Sequence, residues 1–144
     1  MSSDIEVGQV LSMKIRFNNN GDISTKNHPY LVVGVNDDMN VVEVVQIDSL
    51  QGKEYKGFYK SNKILYQTNP IEAVIDKDSF VQLDNKIKIE NFNELEQFRQ
   101  QPNKLSPIKL ADILSAYRFY HQTYEIDEMK NVYMDKSEIL EINT

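Results

Sequence analysis

The sequence predicts a mainly β fold, a small antiparallel barrel or strongly bent sheet, carrying one or two C-terminal helices. Three observations predict it. Residues 7–17 alternate apolar and polar, the period of a half-buried strand. Short runs at 30–35 and 41–47 are valine-rich and bounded by turn residues, as strands of a meander are. After residue 93 the apolar spacing changes to that of a helix.

The elements follow in order. Leu11, Met13, Ile15 and Phe17 share one face of the first strand, with Ser12, Lys14 and Arg16 on the wet face. Asn18 to Asp22 stops it, because Asn, Gly and Asp tolerate the backbone angles of turns. A polar loop runs on to Asn27. Pro29 then holds His28 extended and lacks an N–H, which suits the start of a strand. Tyr30 to Val35 is that strand, Asn36 to Asn40 a hairpin loop, and Val41 to Ile47 the return. Glu54 to Tyr59 is expected as a strand, with a stop at Asn69-Pro70. Glu72 to Ile75 and Phe80 to Ile89 are expected as the two arms of a further hairpin around residues 76–78. Asn93 and Glu96 have the spacing of a capping box, opening a helix that must end near Pro102. Ser106 and Pro107 open a second helix, whose stripe of Leu110, Leu114, Tyr117 and His121 runs to about Tyr124. His121 near the helix end reads as a residue favoured by the helix dipole or as a packed edge residue, and not as a catalyst. Residues 125–144 are acidic and weakly patterned, open to an extra strand or helix or to a frayed tail. The expected division is therefore one domain over 1–124 and an acidic extension over 125–144.

Bulk composition narrows the function classes. Apolar residues make up 40 % of the chain, enough for a core, and a mean hydropathy of −0.52 is that of a soluble protein. No run approaches the roughly 18 apolar residues of a membrane span. The acidic N-terminus lacks the apolar core of a signal peptide, so a cytoplasmic location is expected. With no cysteine and two distant histidines, neither thiolate chemistry nor a zinc site is expected, and no cofactor. The net charge of −6 argues mildly against a nucleic-acid binder, whose footprint is usually basic, and DNA is not expected as a partner. The charge is uneven, however. Up to Lys63 the chain has 7 Lys and Arg against 8 Asp and Glu, and from Ile64 onward 9 against 14. The near-neutral front half carries Lys53, Lys56, Lys60 and Lys63 interleaved with Tyr55, Phe58 and Tyr59. That stretch is either a solvated strand or loop, or a phosphate-tracking surface with stacking aromatics.

Five stretches in this order resemble one family: "VGQVLSMKIRF" as an opening strand, "KNHPYLVVG" as a proline-led apolar strand, "VVQIDS" as a strand ending in a hydroxyl residue, "FVQLDNKIKIE" as a late strand with an acidic residue, and "NKLSPIKLADIL" as the final helix. Over residues 6–123 the chain resembles the MazF/PemK (Kid/CcdB-like) toxins of type II toxin–antitoxin modules. The resemblance implies an SH3-like barrel with a terminal helix, usually a homodimer. It implies metal-independent cleavage of single-stranded RNA, by attack of the 2′-hydroxyl on its own phosphate, and a cognate antitoxin peptide that blocks the RNA groove. Such chemistry needs a base, a cation on the phosphoryl oxygens and an acid for the leaving oxygen.

By resemblance, Asp84 matches the family's acidic position and Ser49 its hydroxyl residue. Three positions depart from it. His28 stands where the family has an arginine, Asp48 where it has a threonine, and Gln82 where some members have a basic residue. The expected catalytic set is therefore His28, Asp48, Ser49 and Asp84, and the expected RNA-binding set Arg16, Lys26, Lys53, Lys56 and Gln82. Three readings stay open: a ribonuclease rebuilt around the His28 imidazole, an inactive binding or regulatory module on the same barrel, and a toxin that acts on a protein target such as gyrase.

Overall fold

The structure, a computed structural model, describes residues 2–66, 77–100 and 104–144. The valine-rich segments form β2 (His28–Asn36) and β3 (Val41–Ser49), which pair antiparallel with Tyr30 opposite Gln46 and Asn36 opposite Val41. Asn40 turns the hairpin with φ of 56°, a left-handed angle that asparagine adopts at low cost. β1 (Val10–Met13) lies antiparallel on the other side of β2. β3 is the hub of the sheet. Its first half, Val41–Val44, pairs with β6 (Lys86–Glu90), and its last residues, Ile47–Ser49, pair with β5 (Ser79–Gln82). β4 (Asn62–Leu65) continues from β5, and β7 (Asn131–Met134) joins β6 in parallel. Among the described residues the result is a seven-stranded, mostly antiparallel sheet. Its order β1-β2-β3-β5-β4 ends on strands that, among those residues, do not pair with each other, so the sheet is open there. Two helices, α1 (Pro107–Thr123) and α2 (Lys136–Ile142), follow. The mainly β class with C-terminal helices is as the sequence predicts.

Alternation along the strands divides the apolar side chains between two faces. Tyr30, Val32, Val42 and Val44 point into one core, which Leu95 from the 93–98 turn and Ile139 from α2 complete. Leu31, Val45, Ile47 and Val81 point into a second, closed by Ile113 and Tyr117 of α1. Each fully buried aliphatic side chain contributes about 1.5–3 kcal/mol relative to exposure, so both faces stabilise the sheet.

Several expected elements differ. The first strand pairs regularly only to Met13. The chain then folds back on itself through the turn at residues 18–22, bridging Arg16 to Ile23, although Ile15 stays buried. Glu54–Phe58 is a 3-10 turn, not a strand. None of its residues is buried, so no apolar face favours extension and local bonds prevail: Lys53 N–H to Leu50 O, Lys56 N–H to Lys53 O, Tyr59 N–H to Lys56 O. The expected arm at 80–89 is two strands, β5 and β6, that leave β3 at different points. The expected arm at 72–75 and the stops at Asn69-Pro70 and Pro102 lie outside the described residues. Asn93–Phe98 is a 3-10 helix with Phe92 at its N-cap and no side-chain cap, in place of the capping box. In α1 the buried stripe is centred on Ile113 and Tyr117, with Leu110 and Tyr120 packed beside them. Among the described residues no helix is long and apolar enough to cross a membrane.

Residues 125–144 are ordered into the fold. A short 3-10 turn (Glu128–Lys130) leads into β7, and Val132, Met134 and Ile139 are buried with the first core. Asp135 caps α2, its carboxylate accepting from the Glu138 N–H at 2.9 Å.

Candidate functional site

A cleft of about 570 Å³ opens where the start of β2, the end of β3 and the approach to β5 meet. Its lining includes Lys26, His28, Asp48, Ser49, Lys53, Lys77 and Ser79. The local reasons are legible in the backbone. Pro29 keeps the chain extended, so His28 enters β2 as its first residue, opposite Met13 of β1. Continuing the Tyr30–Gln46 register by two residues sets His28 beside Asp48, both on the same side of the pleat. On the other flank of β3, Ser49 pairs with Ser79, which carries Lys77 to the same rim.

The Asp48 carboxylate is engaged at both oxygens. Oδ1 accepts from the Ser49 N–H at 2.9 Å, and Oδ2 meets the Lys53 ammonium at 3.1 Å. Asp48 thus holds Lys53 over the cleft. The Ser49 hydroxyl accepts from the Gln51 N–H at 3.2 Å. Burial lowers the His28 pKa below its ordinary value. The Lys26 and Lys53 charges lower it too, while the Asp48 carboxylate pulls the other way. The imidazole stands in a cleft whose other charged groups, among the described residues, are three lysines and one carboxylate. That arrangement attracts an anion and sets beside it an imidazole whose pKa is held down. Among the described residues no group of three His, Asp or Glu side chains converges as metal donors do.

His28, Asp48, Ser49, Lys26 and Lys53 thus come together from three segments. Gln82 approaches His28 from the other side, across a neighbouring cavity of about 430 Å³ that it lines with Phe17, Ile23 and Gln46. Asp84 stands outside this group. It sits between β5 and β6 and ion-pairs with Lys130 at 2.6 Å, and that bond raises the Lys130 pKa. Lys56 lies on the 54–58 turn and is not part of the cleft lining. Lys77, Gln51 and Ser79 are cleft residues that the sequence did not single out. The β3–β5 pairing brings in Lys77 and Ser79, and Gln51 follows the end of β3, its N–H bonded to the Ser49 hydroxyl.

Arg16 is committed elsewhere. Its guanidinium binds both Glu138 oxygens, at 2.6 and 3.1 Å, and donates to the Tyr133 carbonyl at 2.9 Å. It therefore clamps β7 and α2 onto the sheet, and Glu138 raises its pKa. Arg16→Ala is expected to cost about 1.5–3 kcal/mol, the range for hydrogen bonds to charged groups. A lower melting temperature is the expected result, and an unchanged one would show that this clamp does not hold β7 and α2 on the sheet.

The second histidine is structural. The His121 Nε2–H donates to the Leu83 carbonyl at 2.8 Å and the ring packs on Tyr117, whose hydroxyl donates to Glu43. Burial lowers the His121 pKa, and burial with the Glu43 charge raises that of Tyr117. In three comparisons, no family model, no curated protein and no solved structure matches the chain, so function has to be argued from the cleft itself.

Proposed function

We propose that the chain is a MazF/PemK-like toxin whose cleft cleaves single-stranded RNA without a metal ion. One observation carries the reading: a half-buried imidazole stands in a cleft with Lys26, Lys53 and Lys77. Lysine ammonium groups draw in a phosphodiester and stabilise the charge that builds on its oxygens. The His28 imidazole takes the proton of the adjacent 2′-hydroxyl. The 2′-oxygen attacks phosphorus, the bond to the 5′-oxygen breaks, and a 2′,3′-cyclic phosphate remains. A lysine ammonium of the cleft protonates the departing 5′-oxygen. Asp48 acts here as a positioning residue, through Lys53. The reading supports Asp84 and Arg16 as parts of the fold, since both are held in ion pairs outside the cleft. A homodimer and an antitoxin peptide belong to the same reading through the resemblance.

Purified protein incubated with a long single-stranded RNA in EDTA is expected to yield discrete fragments ending in 2′,3′-cyclic phosphate. Intact RNA at every pH between 5 and 8 would refute the reading. Growth arrest on induction with intact RNA would favour a protein target instead.

A further inference from the structure

A second pocket, of about 350 Å³, adjoins the cleft and shares Ser49, Gln51 and Lys77 with it. Its volume lies within the roughly 300–1,000 Å³ of small-molecule sites. Its character is different. Leu50 and Ile64 form its apolar floor, and Phe58 and Tyr66 stand at its mouth. Phe58 is 86 % exposed and Tyr66 59 %, so both rings present open faces to solvent. The 54–58 turn holds Phe58 in this position. A Cβ at Gly57 would come within 2.7 Å of Ile64 Cδ1, so the turn packs closely against the Ile64 side chain of β4. Two acids, Glu54 and Asp78, also line the pocket.

Resting on the reading of the cleft as a phosphodiester site, we propose that this pocket is the nucleobase subsite of the same ligand, selecting a base that carries an exocyclic amine. The shared wall is the argument. A phosphate in the basic cleft and a planar ring in the aromatic pocket are neighbours across Ser49, Gln51 and Lys77, which is the chemistry of one nucleotide. Exposed aromatic rings beside a basic groove stack bases of any kind. The Glu54 carboxylate adds selection: its Oε1 also accepts from the Gly52 N–H at 3.3 Å, and it offers carboxylate oxygens to an amine, as acidic residues do to the cytosine N4 group. Uracil has no amine, and its one edge donor, N3–H, is flanked by two carbonyl oxygens that a carboxylate repels.

The test uses the full chain and Phe58→Ala, a residue too exposed for its loss to unfold the protein. An RNA pool randomised over a short window is cut and the ends are sequenced. The wild type is expected to enrich cytosine, adenine or guanine over uracil at one position beside the cut. Phe58→Ala is expected to keep cutting, with that enrichment flattened and KM raised roughly 5- to 150-fold, the range for a lost base stack. An unchanged preference and KM in Phe58→Ala, or a uracil-rich position in the wild type, overturns the inference. If the wild type cuts nothing, the ribonuclease reading fails, and a 2′-deoxy oligonucleotide then decides the subsite. Quenching of tyrosine fluorescence that weakens in Phe58→Ala supports it as a binding site, and binding indifferent to Phe58 overturns it.

Discussion

His28→Ala is expected to lower RNA cleavage by about 10²–10⁴-fold, the usual contribution of a positioned general base, while leaving the melting temperature nearly unchanged. The side chain is half exposed at the first position of β2, so its removal leaves little cavity. The pH profile provides an independent check. A base works in its neutral form, and burial together with Lys26 and Lys53 holds the His28 pKa below 6.5. The acid limb of the rate profile is therefore expected to lie below pH 6.5, with the plateau above it. Lys26→Gln removes one of the charges that lower the pKa and is expected to move that limb upward. Wild-type cleavage by His28→Ala, or a rate independent of pH from 5 to 8, would show that the imidazole takes no part.

A chain ending at Tyr124 is expected not to fold cooperatively. The deletion removes Val132, Met134 and Ile139, each at most 1 % exposed in the first core. It also removes the backbone pairing of β7 with β6 and leaves Arg16 without Glu138. Loss of one such side chain costs about 2–5 kcal/mol, and whole domains are stable by only about 5–15 kcal/mol, so three losses exhaust the margin. The milder Ile139→Ala is expected to cost about 2–5 kcal/mol in urea unfolding. A truncated chain with a cooperative transition near that of the full protein would show that 125–144 is a dispensable extension, the division that the sequence predicts. The residues that sequence reading would trim are those that close the core.

The sequence by itself determined the class of the fold. Period-two alternation and valine-rich runs are local properties of the chain, and they specified β1, the β2–β3 hairpin and α1 without knowledge of any partner. Pro29 likewise fixed His28 at a strand start. The tertiary structure alone decided the rest. Glu54–Phe58 bears no buried face, so a turn wins over a strand. β7 has its weak pattern completed by β6, a partner more than 40 residues away. The site divides along the same line. Lys26, His28 and Pro29 lie within four residues and are legible as a group; Asp48 and Ser49 enter the expected site through the family resemblance, and Lys53 and Phe58 through the lysine–aromatic cluster. Lys77 is not legible, because the pairing of β5 with β3 brings it to the cleft. Arg16 and Asp84 look identical in sequence to functional charges. What separates them is place: both lie outside the cleft lining, Arg16 held by Glu138 and Asp84 by Lys130, whereas the Asp48–Lys53 pair lies within it.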